Sequence, residues 1–122
     1  MELFQAVGTC HVLPEDLLDG VTGLSGSGPA YIFRMAEALI EAGMSVGIPA
    51  EESAGLVKQT IMGAARMMME TEKSPTQLRE MVTSPGGTTM AGLGSMEDAG
   101  FGEIVVEAVM AATQRAKELG RK

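Results

Sequence analysis

The sequence predicts an all-α domain, and three observations carry that prediction. Apolar residues recur at i, i+3 and i+4 in several separate stretches, the spacing of one face of a helix. No alternating apolar and polar run of useful length follows residue 13, so nothing beyond it reads as a half-buried sheet. The composition is apolar but poor in rings: 45% hydrophobic residues, eleven Met and sixteen Gly, against no Trp, one Tyr and three Phe. Small residues let helices approach closely, and Met adapts to irregular contacts between them.

At 122 residues the length fits one domain. The net charge of −7, with an isoelectric point of about 4.6, repels a phosphate backbone and argues against nucleic acid as a partner. The single Cys10 excludes an intrachain disulfide and points to a reducing, cytoplasmic setting. One His and one Cys cannot supply a His/Cys metal cluster, so no metal is expected, and His11 reads as structural within its apolar run. The sequence has neither an apolar run of about 18 residues nor a basic segment leading into one, so neither a membrane span nor a secretory signal is expected.

The elements follow in order. Leu3, Phe4, Ala6 and Val7 resemble the last turn of a helix stopped by Gly8, and Thr9–Leu13 then reads as a short strand whose sheet lies elsewhere. Pro14, Glu15 and Asp16 open a short helical stretch through Leu17, Leu18 and Val21. Gly23–Pro29 reads as a loop feeding a helix, for which close helix packing is favoured over phosphate binding because the Lys-Ser/Thr of a P-loop is missing. Ile32, Met35, Ala36, Leu39 and Ile40 line the helix that follows, which Gly43 or Gly47 ends.

Pro49, Glu51 and Glu52 start the next helix, expected to reach about Glu72. Val57, Ile61, Ala64, Ala65 and Met68 form its core face, while Leu56, Met62, Met67 and Met69 lie on other faces. A helix apolar nearly all round must be buried on more than one side, and a chain this small needs a partner to do it. Ser74, Pro75 and Gln77 form a capping box ahead of a short helix through Leu78 and Met81. Met90, Leu93 and Met96 mark a helix ending near Gly100. In the last helix Val105, Ala108, Val109, Ala112, Ala116 and Leu119 share a face, with Gly120 placed just beyond its end.

Residues 82–93, Val-Thr-Ser-Pro-Gly-Gly-Thr-Thr-Met-Ala-Gly-Leu, are the most informative stretch. Pro85-Gly86 is a turn dipeptide, in which proline presets a negative φ and glycine accepts the positive φ that follows. Gly87 leaves the backbone bare, and Thr88 and Thr89 are suited to cap a helix starting there. Such a start presents unpaired N–H groups and the positive end of a helix dipole to a carboxylate or phosphate. The alternative is a turn that only punctuates two helices.

This stretch, with Leu78–Met81 before it and Gly-Leu-Ser-Gly-Ser-Gly-Pro-Ala-Tyr at 23–31, closely resembles pyrroline-5-carboxylate reductase. The likeness extends over essentially the whole chain and omits that family's N-terminal dinucleotide-binding domain. The resemblance therefore implies a fragment: residues 1–13 as a remnant of the nucleotide-binding (Rossmann) domain and 14–122 as a helical bundle that interlocks with a second copy. It implies a homodimer or larger homo-oligomer acting on a small molecule, 1-pyrroline-5-carboxylate, which is reduced to L-proline with NADP or NAD as cofactor. No cofactor is expected to bind stably to this chain without the missing domain. It also implies substrate contacts at Ser84, Gly86, Gly87, Thr88 and Thr89, a catalytic part for Thr89, and Val82 near the nicotinamide. The imine proton is left to prior protonation, water or Thr89. Two other readings remain: a helical interaction module with no ligand site, and the helical domain of a β-hydroxyacid-type dehydrogenase. The last requires a catalytic lysine, and neither Lys58 nor Lys73 sits in such a motif.

Overall fold

The computed structural model describes residues 8–121, and every regular element among them is helical. A 3-10 turn at Glu15–Leu17 leads into helix α1, Leu18–Val21, and a π turn at Thr22–Gly26. Helices α2 (Gly28–Ser45), α3 (Ala50–Glu70), α4 (Pro75–Met81), α5 (Thr88–Asp98) and α6 (Phe101–Gly120) follow. The chain divides into two compact units. One holds the described residues up to Gly28 and those from Val106 onward; the other is Pro29–Val105.

In the first unit, Pro14 precedes the 3-10 turn, and Glu15 and Asp16 occupy its first turn as expected. Residues 9–13, expected as a strand whose sheet lies elsewhere, belong to no helix and to no paired strand among the described residues. A strand exists through its partner, and no described segment offers one. The helix end expected at residues 3–7 lies outside the described residues. Gly23–Pro29 is also not a loop. Ser27 N–H donates to the Thr22 carbonyl at 2.8 Å, the i+5 bond of a π turn, and α2 begins at Gly28. Gly23 is buried there, and a Cβ on it would lie 2.9 Å from both the Thr113 nitrogen and the Val109 carbonyl oxygen, with Thr113 Oγ1 closer still. This is backbone packed on α6. The Ser25 hydroxyl donates to the Val21 carbonyl at 3.1 Å, so it is already engaged. Helix packing, rather than a phosphate cradle, accounts for Gly23.

The second unit starts as a helical hairpin. Gly47, at φ +95°, stops α2, while Ile48 N–H reaches the Gly43 carbonyl and Gly47 N–H the Met44 carbonyl, each at 3.0 Å. That pair of bonds is a Schellman cap. Gly43 has another role: a Cβ there would lie 2.6 Å from Ser53 Oγ, so α2 and α3 meet over two small residues. Ser53 is 1% exposed, and its hydroxyl donates to the Ile48 carbonyl at 3.3 Å. Helix α3 ends at Glu70, two residues before the expected Glu72, where Thr71 turns extended and its hydroxyl caps the Met67 carbonyl at 2.7 Å. The capping box forms as read: Gln77 N–H donates to Ser74 Oγ (3.2 Å) and Ser74 N–H to Gln77 Oε1 (2.9 Å). Helix α5 stops at Asp98, followed by Gly100 at φ +74°. Gly120, expected just past α6, is its last residue.

Apolar burial is scarce. Leu78, 8% exposed, is the only buried hydrophobic side chain among the described residues. The expected core face of α3 is open, with Val57 and Ile61 half-buried and Ala64, Ala65 and Met68 exposed. Leu56 and Met69, on its other faces, are 58% and 78% exposed. The ion pairs Arg34–Glu37, Arg66–Glu70 and Arg115–Glu118 each lie within one helix and on its surface. They cannot join helices, and exposed pairs of this kind contribute little.

Two glycine substitutions test the packing of the π turn. Gly23→Ala should lower unfolding stability by about 1–3 kcal/mol, because its methyl meets backbone atoms that cannot swing aside. Gly20→Ala, in open space within α1, should be neutral or stabilising by up to about 1 kcal/mol. Urea denaturation monitored by circular dichroism reads both.

Candidate functional site

The candidate site is the connection between α4 and α5, wholly within the second unit. The end of α4 is closed by its own backbone, as Val82 and Thr83 donate N–H bonds to the Arg79 and Glu80 carbonyls at 3.3 and 3.1 Å. The Thr83 hydroxyl adds a 2.6 Å bond to the Arg79 carbonyl. The chain then turns through Ser84–Gly87, closed by Gly87 N–H donating to the Ser84 carbonyl at 3.1 Å. Pro85 at the second position and Gly86 at φ +68° at the third are the pattern of a type II turn. Gly87 is wedged against the start of that turn: a Cβ on it would lie 2.5 Å from Ser84 Oγ and 3.2 Å from the Ser84 carbonyl oxygen.

Helix α5 begins immediately, with Gly87 at its N-cap and no side-chain cap. Thr88 and Thr89 therefore do not cap the helix. They are its first two helical residues, because the turn closes one residue earlier than a threonine cap requires. Gly86 N–H donates to Met90 Sδ at 3.3 Å and Gly87 N–H to Ser84, so neither glycine offers a donor outward. The glycines supply shape. The N–H groups of Thr88, Thr89 and Met90 have no acceptor among the described residues, as first-turn N–H groups of a helix must unless something else accepts from them. The hydroxyls of Ser84, Thr88 and Thr89 are exposed and make no hydrogen bond among the described residues. The dipole of an eleven-residue helix adds positive character at the same end. The arrangement suits a small anion.

Ser84, Gly86, Gly87, Thr88 and Thr89 thus fall in one turn. Val82, exposed at the C-cap of α4, precedes that turn by two residues. With Ala64, Met67, Met68, Pro75, Leu78 and Arg79 it lines an apolar hollow of about 230 Å³ between α3 and α4. An open groove between α4 and α5 runs beside the turn, lined by Arg79, Thr83, Met90, Leu93, Gly94 and Glu97. Arg79 and Glu97 were not foreseen from the sequence, and Met90 was read only as an apolar position of α5. Its sulfur bond has no sequence signal beyond the spacing of four from Gly86. Among the described residues no cluster of His, Cys, Asp or Glu could hold a metal ion, and no helix is long and apolar enough to cross a membrane.

A helical domain with this much uncovered apolar surface has the character of an oligomerising domain. Residues 15–119 match the family model described as "Pyrroline-5-carboxylate reductase dimerisation", and the chain belongs to that family. It is 48% identical over 120 residues to the pyrroline-5-carboxylate reductase of Synechocystis sp., covering 98% of this chain and 45% of the relative. The solved structure of a pyrroline-5-carboxylate reductase from Coxiella burnetii superposes with a TM-score of 0.92 at 47% identity, over 97% of this chain and 44% of that one. The Plasmodium falciparum pyrroline carboxylate reductase, solved with NADP bound, gives a TM-score of 0.90 at 39% identity, over 98% and 48%. The chain spans less than half the length of these relatives.

The turn makes one local demand that is measurable without any ligand. Gly86→Ala places a Cβ at φ +68° and should cost about 1–2 kcal/mol in unfolding free energy. Thermal unfolding of the variant beside the parent chain checks it.

Proposed function

We propose that this chain is the dimerising and substrate-binding part of a reductase that converts 1-pyrroline-5-carboxylate to L-proline, the closing step of proline formation. The observation that supports it is the set of unspent donors at the start of α5, the N–H groups of Thr88, Thr89 and Met90 beside the free hydroxyls of Ser84 and Thr89. A carboxylate accepts several such bonds at once, and bonds to a charged acceptor are the strong ones. Gly86 and Gly87 let it approach without a side chain in the way. In this reading residues 14–122 form the helical part, and residues 1–13 belong with a nucleotide-binding part that carries NADPH or NADH.

That cofactor supplies a hydride to the C=N carbon. In this reading the chain offers the cofactor an edge at Val82, and the nucleotide-binding part holds the rest of it. The work of these residues is orientation. Held by its carboxylate on the turn, the imine presents its carbon to the nicotinamide, which is a proximity effect. The imine nitrogen gains a proton before or during the transfer, with the Thr89 hydroxyl and water as its sources on this side. With Cys10 as the sole cysteine, a cytoplasmic setting fits. A homodimer supplies the second copy that covers the apolar faces of α3 and the hollow beside α4.

Two experiments test this reading. Light scattering should give the mass of a dimer or a multiple of it, and Ile61→Asp, which buries a carboxylate in the proposed interface, should dissociate or unfold the assembly. A monomer mass that does not change with concentration would refute it. L-proline should bind to the chain, and Thr89→Val should weaken that binding by roughly ten- to a hundredfold through loss of one bond to a charged group. In the reductase containing both parts the same loss should appear in kcat/KM, with Gly87→Val more severe and cofactor affinity little changed. The 122-residue chain alone should show no turnover. Unaltered proline binding in Thr89→Val would leave the turn with backbone donors only.

A further inference from the structure

We propose that Met90 is a positioning residue for the carboxylate turn, its thioether fixing the orientation of the Pro85–Gly86 peptide. The inference rests on the function proposed above. Type I and type II turns differ by a flip of their central peptide, which here is the one joining Pro85 to Gly86. In the structure Gly86 has φ +68° and its N–H points at Met90 Sδ, 3.3 Å away. Flipping that peptide would break the N–H···S contact and turn the Pro85 carbonyl oxygen toward the first turn of α5 instead. An oxygen there repels a carboxylate and competes for the N–H groups of Thr88 and Thr89. Met90 is 49% exposed and lines the open groove beside the turn, so tight packing does not dictate where its sulfur sits. Met90 also belongs to the first turn of α5, so one side chain ties the turn to the helix that carries the donors.

The test combines amide hydrogen exchange at Gly86, followed by NMR, with L-proline titration of the same samples. Met90→Leu keeps the approximate size and removes the acceptor; Met90→Gln returns an acceptor oxygen at similar reach. In Met90→Leu, Gly86 exchange should accelerate and L-proline binding should weaken, each by about two- to tenfold, as expected for one modest hydrogen bond. Met90→Gln should restore both. Unchanged Gly86 exchange in Met90→Leu overturns the inference, as does faster exchange with unchanged binding. Failure of Met90→Gln to restore either overturns the acceptor role. If the parent chain itself does not bind L-proline, the carboxylate reading fails first, and the positioning role with it.

Discussion

The constraint on which the rest of this structure depends is a mismatch between apolar surface and the means of covering it. Helix α3 carries Val57, Ile61, Met62 and Met67–Met69 around most of its circumference, and the chain has few aromatic rings to fill a core. Among the described residues the only buried apolar side chain is Leu78, on α4. What this chain makes firm by itself is local: the Schellman cap at Gly47, the Gly43–Ser53 contact, the capping box at Ser74 and the packing of Gly23 on α6. These hold helices at fixed ends and close crossings. They leave the broad faces for another surface.

The α4–α5 connection works by the opposite logic, since it lies at the surface yet is closely specified. Each backbone donor of Gly86 and Gly87 is used to shape the turn, and those of the next three residues are kept free. The glycines are required by geometry, one for a positive φ and one for its closeness to Ser84. Two residues build the shape, and the three that follow leave their backbone donors unpaired among the described residues. An open groove containing Arg79 and Glu97 lies alongside, with charges of both signs near a site suited to an anion.

Helix identity was legible from periodicity, and helix ends were legible wherever a residue type has one dominant role. Ser74-Pro75-Gln77 and Pro85-Gly86 are such cases. The sequence was less informative where one residue type has several uses. The glycines and serines at 23–29 read as a loop, yet form a π turn, because nothing local says that Gly23 will meet the backbone of α6. Thr88 and Thr89 were placed as caps, but the N-cap position is set by where the preceding turn closes, and that falls on Gly87. The bond from Gly86 to Met90 Sδ was invisible because methionine is a weak acceptor whose usual role is packing. Thr9–Leu13 read as a strand from its composition alone. A strand is a relation between two segments, and its partner is not among the described residues.

Leu78 and Val82 place the hollow between α3 and α4 directly upstream of the turn, separated from Ser84 by Thr83 alone. In the proposed dimer a second copy covers that hollow, and any coupling between the cover and the turn would act equally in both directions. Under such coupling a carboxylate ligand would act as a weak glue between subunits. Dilution, conversely, would loosen the grip on the ligand without altering a single residue that touches it.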